Sequence, residues 1–387
     1  FLDLCDELGF LVMDEAFDEW LLTKHKLRNY YTEEFAYGYS QFFSQDAEKD
    51  LISMVRRDRN HPSVILWSIG NEIPEQSSKS GIEILKLLRN ICRREDPSRM
   101  VTCGCDNIAS GTTAEAYREF ENELDVVGYN YVARWRERAE TLYEEDRNLF
   151  PERRFCGSEN PSAWSSFRGD YRPERNYIAA TLSHEWLWRY TVSRDFVAGD
   201  YLWTGIDYLG EAMWPSRGAL TGPIDTAGFP KDTYYYFKSI WNQDEITLHL
   251  MPHWNWEGDE GVFKQVVAYT NCEEVELYIN GRLVGTRGYQ CPNYGSRHVW
   301  NDRKRRNYTT HDLHLVWDVP YEPGELKAVG YIDRKIVAET VVTTTGKPVA
   351  LKTEADRGVI RVDGVSHIEI MAVDQSGLFV PDAGPVV

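Results

Sequence analysis

Two hydrophobic periodicities alternate along the N-terminal part of the chain. Some segments carry apolar residues at helical spacing, as at Leu85, Leu88 and Cys92, whereas short apolar and β-branched runs such as Val64–Ile69 indicate buried strands. The predicted strands cover 10–14, 64–70, 100–105, 124–131, 154–158 and 200–208, and predicted helices lie at 1–8, 46–57, 81–93, 113–120 and 174–191. This alternation predicts an α/β fold, in which helices cover a parallel sheet.

The pattern changes to a period of two from about residue 245. Apolar and polar residues alternate on both sides of Asn280-Gly281, a dipeptide typical of two-residue β-hairpin turns, and again around Pro323-Gly324. We interpret 245–346 as an immunoglobulin-like β-sandwich. A β-like pattern continues over 347–387. A segment of about 40 residues is too short for a core of its own, so we interpret it as the truncated start of a further β domain.

The two ends of the chain indicate that it is an interior piece of a longer polypeptide. It opens on a helix that lacks a preceding strand, and it stops inside the last predicted domain. Residues 1–244 would then be the α/β portion of a larger domain. Its missing strands would come from an upstream segment or a companion chain.

Composition excludes some functions without selecting one. The net charge of −18 argues against nucleic acid and anionic membranes as partners, since both attract basic surfaces. Seven cysteines without a CxxC pair argue against a disulfide framework or a zinc site. No apolar run reaches transmembrane length, and a chain without an initiator Met leaves its compartment open.

Polar residues follow the predicted strands, where parallel α/β folds place their functional side chains. Two carboxylates, Glu72 and Glu159, follow different strands. Glycoside hydrolysis requires two facing carboxyl groups, one protonated and one ionised. A glutamate in this position is more commonly a helix-capping residue or an ion-pair partner. The motifs GxSxG, the P-loop and GxGxxG are absent.

Several strand-end segments carry longer motifs. They read "FLDLCDELGFLVMDEAFDEW", "RDRNHPSVILWSIGNE", "VVGYNY", "FCGSENPSA" and "GDYLWTGIDYLGE". In order and spacing they resemble the successive strand motifs of glycoside hydrolase family 2. The segments "GFPKDTYYYFKSIW" and "NCEEVELYINGRLVG" resemble the regions that follow in β-galactosidase-like members. The resemblance implies a partial (β/α)₈ TIM barrel, of which this chain holds strands three to eight.

The resemblance also implies roles for individual residues. Glu72 matches the acid/base of the family and Glu159 its nucleophile. Asn71 matches the residue that holds the sugar 2-hydroxyl, Tyr131 the tyrosine that supports the nucleophile, and Trp203 a tryptophan of the sugar pocket. Since each carboxylate raises the proton affinity of the other, we expect the empty site to keep Glu72 protonated and Glu159 ionised near neutral pH.

Asp14 and Asn130 also end predicted strands, and we expect them to contact substrate. No cofactor or metal is predicted. Some β-galactosidases hold magnesium through a Glu and a His two residues later, but the matching pair here is Glu19 and Leu21. The Asn-x-Lys with which glucuronidases bind the sugar carboxylate is missing from "LTGPIDTAG".

The leading hypothesis is a retaining exo-β-glycosidase that acts on terminal β-D-galactosides through a covalent glycosyl-enzyme. A β-glucuronidase or β-mannosidase of the same family is an alternative within the class. A carbohydrate-binding fragment without turnover is the alternative outside it. The predicted partner is a β-linked oligosaccharide or glycoside, not nucleic acid or membrane, and the sequence leaves homo-oligomerisation open.

Overall fold

The structure divides into two compact units. This computed structural model describes residues 1–24, 27–29, 34–35, 38–106, 115–132, 141–160, 178–210, 218–289 and 313–384. The first unit comprises Phe1–Ser162 and Trp186–Trp203, and the second comprises Ala163–Glu185 and Thr204–Val387. The boundaries at 244 and 346 stay predictions, because the two units follow a different division.

A curled sheet of six parallel strands forms the centre of the first unit. In spatial and chain order its strands are β1 (Val12–Glu15), β4 (Val64–Asn71), β5 (Met100–Cys105), β6 (Val127–Asn130), β7 (Phe155–Asn160) and β8 (Val197–Leu202). Each neighbouring pair is parallel. A short antiparallel pair lies outside this sheet, formed by β2 (Leu27–Asn29) and β3 (Glu34–Phe35). The predicted partial TIM barrel is therefore confirmed, with six strands in the described part of the chain.

Helices connect the strands of this sheet. Their bounds are α1 (Leu2–Leu8), α2 (Ser40–Asp58), α3 (Lys79–Glu95), α4 (Glu115–Asn122), α5 (Leu142–Leu149) and α6 (Ile178–Val192), with a 3₁₀ turn at Pro74–Ser77. Helix α1 ends at Gly9 in the left-handed conformation, φ +76°, as its sequence predicts. Helix α5 was not predicted, since the sequence before 154 reads only as polar.

One face of the sheet is fixed by apolar packing against the helices. Trp67 and Ile69 of β4 are fully buried in the same cluster as Leu85 and Leu88 of α3. Burial of side chains of this size contributes roughly 1.5–3 kcal/mol each. The packed face holds the strands rigidly, so the positions of their carboxyl ends are well defined.

The second unit contains an antiparallel β-sandwich. One sheet has the order β13-β10-β9, and the other has the order β12-β11-β14-β15. The strands are β9 (Leu248–Met251), β10 (Phe263–Thr270), β11 (Glu274–Ile279), β12 (Arg282–Gly288), β13 (Leu315–Pro320), β14 (Glu325–Ile332) and β15 (Lys335–Thr343). Asn280 and Gly281 join β11 to β12 with φ values of +48° and +75°, as the hairpin motif predicts.

Two further elements flank the sandwich in sequence. Helix α7 (Asp232–Trp241) precedes it, and an antiparallel pair of β16 (Ala350–Ala355) and β17 (Ile368–Val373) follows it. In the described part of the chain, no helix is both long enough and apolar enough to span a bilayer.

Candidate active site

The carboxyl ends of β4, β6 and β7 bring the two predicted catalytic glutamates to one amide. The side-chain nitrogen Nδ2 of Asn130 lies 3.2 Å from Oε1 of Glu72 and 3.2 Å from Oε2 of Glu159. Those two carboxylate oxygens are therefore no more than twice that distance apart. The geometry places Glu72 and Glu159 on the same side of the sheet.

Tyr131 binds Glu159 through both its side chain and its backbone. Its hydroxyl donates a hydrogen bond to Oε1 of Glu159, and its backbone N–H donates to the Glu159 carbonyl at 2.6 Å. Tyr131 and Glu72 both adopt left-handed backbone conformations, with φ of +53° and +48°. Such conformations cost a non-glycine residue about 1–3 kcal/mol, and they cluster at functional sites.

Asn71, the last residue of β4, joins the same hydrogen-bond network. Its Oδ1 accepts a hydrogen bond of 2.8 Å from Nδ2 of Asn130. Gly104 of β5 makes room for this contact, because a Cβ at that position would lie 2.7 Å from Oδ1 of Asn71 and 3.1 Å from Oδ1 of Asn130. The network therefore depends on a residue without a side chain on the intervening strand.

The electrostatics of Glu159 differ from the expectation drawn from the sequence. Burial raises the pKa of Glu159 to about 7, and the negative charges of Glu72 and Glu15 act in the same direction. The Tyr131 hydroxyl and the Lys24 ammonium oppose this rise in the pKa. The direction of this shift is opposite to the expectation that Glu159 stays ionised near neutral pH.

Glu15, at the end of β1, is a third carboxylate near this pair, although the sequence favoured its neighbour Asp14 as the site residue. Its Oε2 accepts a hydrogen bond of 2.7 Å from Ser68, and desolvation of the carboxylate raises its pKa. The charge of Glu72 raises the Glu15 pKa further. The adjacent pair Asp14-Glu15 was the available signal, since one of two neighbouring strand residues must face the site.

Asp14 is placed away from this pair of glutamates, and its contact with substrate stays a prediction. Its carboxyl lies beside Asp58 at the end of helix α2. Burial, followed by the hydrogen bond and the charge of Asp58, raises the pKa of Asp14 to about 7. The alternation of side chains along β1 directs Asp14 and Glu15 to opposite faces of the sheet.

Trp203 lies at the same rim, directly after β8. Its backbone N–H donates to the carbonyl of Asn160 at 3.2 Å, one residue after Glu159, and its side chain is half-buried. Asn160 braces this region, since its Oδ1 accepts from the Val132 N–H at 2.9 Å and its Nδ2 donates to Asp200 at 3.0 Å. No pattern in the sequence indicates these hydrogen bonds of Asn160.

Two places in the first unit contain carboxylates that are relevant to metal binding. Both oxygens of Glu19 accept backbone hydrogen bonds of 2.9 Å, from Lys24 and from Ser40, so this side chain closes a loop. Among the residues that the structure describes, Asp3, Asp6 and His61 have the spacing of a cation site. His61 lies just before β4, at the end of that strand opposite to Glu72.

Comparison with known proteins identifies the family. Residues 1–211 match the model described as "Glycosyl hydrolases family 2, TIM barrel domain", and residues 261–338 match a domain of unknown function, DUF4982. The chain belongs to glycosyl hydrolase family 2, as its motifs indicated.

Named relatives carry two different descriptions. The chain is 32% identical to "Beta-galactosidase BoGH2A" of Bacteroides ovatus, over 100% of this chain and 48% of that protein. It is 31% identical to a "Putative beta-glucuronidase" of Formosa agariphila, over 91% of this chain and 34% of that protein. Among solved structures, a β-glycosidase from Bacteroides vulgatus is 28% identical, with a TM-score of 0.76, over 98% of this chain and 48% of that one. The chain thus spans a third to a half of these relatives.

Proposed function

We propose that the polypeptide containing this chain is a retaining exo-β-glycosidase that hydrolyses terminal β-D-galactosides. The contact of one Asn130 amide with both Glu72 and Glu159 is the observation that carries this proposal. It limits the separation of two carboxylate oxygens to twice 3.2 Å. Retaining enzymes hold their carboxyl groups about 5–5.5 Å apart, whereas inverting enzymes need about 6.5–9.5 Å.

The proposed reaction has two displacements. The ionised carboxylate of Glu159 attacks the anomeric carbon while Glu72 protonates the departing glycosidic oxygen. Glu72 then removes a proton from water, which attacks the same carbon and returns the bonding electron pair to Glu159. The Tyr131 hydroxyl favours the ionised form of Glu159, since a hydrogen bond to a carboxylate stabilises its charge.

Other residues at this rim are proposed to bind and position the sugar. Asn71 lies next to the proposed acid/base and would meet the sugar 2-hydroxyl, and Trp203 would form part of the pocket wall. Glu15 is a further carboxylate at this rim, close enough for the charge of Glu72 to raise the pKa of Glu15.

Galactosides are proposed as substrates because the chain resembles "Beta-galactosidase BoGH2A" along its whole length. Glucuronides are the second candidate, because a relative at nearly the same identity is described as a putative β-glucuronidase. Neutral and acidic sugars differ by one carboxylate, so a direct comparison of their turnover distinguishes the two candidates.

A panel of nitrophenyl β-galactoside, β-glucuronide, β-mannoside and β-glucoside tests the proposal on the complete polypeptide. We expect the galactoside to have the highest kcat/KM, and proton NMR to show the β-anomer as the first product. A faster glucuronide would replace galactose with glucuronic acid as the substrate. Binding without turnover of any member would favour a carbohydrate-binding protein, and an α-anomer as the first product would contradict the retaining mechanism.

A further inference from the structure

The side-chain amide of Asn130 has more hydrogen-bond acceptors than hydrogens. Nδ2 carries two hydrogens, and it lies 2.8 Å from Oδ1 of Asn71 and 3.2 Å from an oxygen of each of Glu72 and Glu159. Its Oδ1 accepts a hydrogen bond of 2.6 Å from the hydroxyl of Ser158. A sugar hydroxyl could accept a hydrogen bond from this nitrogen only by displacing one of its three acceptors.

The three acceptors also determine the orientation of the amide. A reversed amide would direct Oδ1 at the side-chain carbonyl oxygen of Asn71 and at the carboxylate that is ionised, and oxygens without a hydrogen between them repel. Ser158 holds the observed orientation from the opposite side, and donation to Oδ1 polarises the amide so that its N–H groups become better donors.

Two glycines leave the space that this arrangement needs. A Cβ on Gly128 of β6 would lie 2.6 Å from the Ser158 hydroxyl oxygen, and one on Gly104 of β5 would lie 3.1 Å from Oδ1 of Asn130. The amide thus fits into the space that these glycines leave, and its nitrogen lies equally far from an oxygen of each glutamate. Its four hydrogen-bond partners indicate a fixed position rather than a group that adapts to a ligand.

We propose that Asn130 is a bridging donor that serves whichever of Glu72 and Glu159 is ionised, and that Ser158 positions it for this task. The inference rests on the proposed function and differs from our expectation that Asn130 is a sugar ligand. In the first displacement the bond from the anomeric carbon to the leaving oxygen breaks, and a bond to Glu159 forms. The proton of Glu72 passes to the leaving oxygen.

The negative charge therefore moves from Glu159 to Glu72 in the first displacement and back in the second. When water attacks, its proton passes to Glu72, and the electron pair of the ester bond returns to Glu159. A donor equidistant from both groups stabilises the charge before and after each step without moving. Preorganised donors of this kind lower barriers because nothing must reorient during the reaction.

The bridge has a signature that a sugar-binding residue lacks. An N–H donor stabilises the ionised form of both carboxyls, so its removal raises the pKa of each. Glu159 must be ionised and Glu72 protonated for turnover, and thus both limbs of the pH–rate profile should move to higher pH. We expect Asn130→Ala to shift each limb by about one pH unit, and Ser158→Ala to shift both by less.

The experiment compares wild type, Asn130→Ala, Ser158→Ala and Asn160→Ala in the complete polypeptide. Asn160→Ala is the matched control, since it removes an amide next to Glu159 that bonds Asp200 and the Val132 N–H instead of Glu72 or Glu159. It should lower Tm and leave both limbs in place. The first readout is the pH dependence of kcat and kcat/KM, and the second is a ¹³C NMR titration of glutamate side chains labelled at Cδ.

The two readouts separate this inference from the proposed function. Parallel alkaline shifts of both limbs and of both carboxyl titrations support the bridge. Unchanged titrations, or a rise in KM with both limbs in place, overturn it and return Asn130 to sugar binding. If wild type turns over no glycoside, the proposed function fails and the titration alone decides the bridge. If Asn130→Ala does not fold, the same outcomes are read from Ser158→Ala.

Discussion

Replacing Tyr131 by Phe removes one hydroxyl and keeps the ring. That hydroxyl donates to Oε1 of Glu159, and it opposes the burial that raises the pKa of Glu159 to about 7. A hydrogen bond to a charged group contributes about 1.5–3 kcal/mol, and one pKa unit corresponds to about 1.36 kcal/mol. The substitution should therefore raise the pKa of Glu159 by about one to two units.

The direction of the effect on activity follows from the role of Glu159. A nucleophile reacts only when ionised, so a higher pKa moves the acid limb of kcat/KM to higher pH. At pH 7 the ionised fraction should fall from about a half to between about a tenth and a hundredth, which lowers kcat/KM roughly 5- to 50-fold. Raising the pH towards the new pKa should restore part of this loss, up to the alkaline limb at which Glu72 loses its proton.

The assay is the pH profile of nitrophenyl glycoside hydrolysis from pH 4 to 10. Tyr129→Phe is the matched control, because Tyr129 lies two residues earlier and its hydroxyl donates to Asp146 instead. It should lower stability and leave the acid limb unshifted. An acid limb that stays in place in Tyr131→Phe, with kcat/KM lowered equally at every pH, would refute the assigned electrostatic role.

Three further substitutions test the site and its support. Gly104→Ala should lower kcat by more than about tenfold with little loss of Tm, because the new Cβ would lie 2.7 Å from Oδ1 of Asn71. Gly285→Ala is the control, since the nearest atom to its Cβ would lie at 3.6 Å. Equal activity of the two variants would contradict the role assigned to Gly104. Arg153→Met removes the cation shared by two buried salt bridges, so urea denaturation should show a loss of about 3–5 kcal/mol. Burial would raise the pKa of Asp96, but hydrogen bonds from its neighbours lower it to about 2, so its stabilising contribution exists above about pH 4 and disappears as the pH falls to 2. Asp96→Asn should remove that part of the acid sensitivity, and an unchanged dependence of Tm on pH would contradict the assignment.

The sequence predicted the order of strands better than the orientation of their side chains. Strand β5 begins and ends at the predicted residues, because Met100–Cys105 is an apolar run that needs no choice of face. Asp14 and Glu15 are a different case. The preceding residues of β1 are all apolar, so no alternation shows which of the two faces the helices.

Helix α5 was missed for a related reason. Its sequence, LYEEDRNL, contains few apolar residues, and it buries Asp146 as well as Leu142 and Tyr143. Asp146 is tolerated there because Arg153 and Tyr129 bind its carboxylate. These partners are distant in sequence or lie on another element, and a local hydrophobic pattern does not record them.

The link between Glu72, Asn130 and Glu159 could be predicted only in part. The motifs located both glutamates at strand ends, and parallel strands bring such ends to one edge. The shared amide depends on the left-handed backbone of Glu72 and on the absence of a side chain at Gly104. Both are properties of the folded strands, and neither has a pattern in the sequence.

The measurement that tests the central claim most directly is the stereochemistry of azide rescue in the complete polypeptide. In Glu72→Ala, a nitrophenyl glycoside should still form the glycosyl-enzyme, and azide should attack it without a base to give a β-glycosyl azide. In Glu159→Ala, azide should occupy the vacated space and give the α-azide. Proton NMR of the two products decides the roles. The β-azide from Glu72→Ala and the α-azide from Glu159→Ala are the predicted results, and the reverse pair, or no rescue in either variant, would contradict the account.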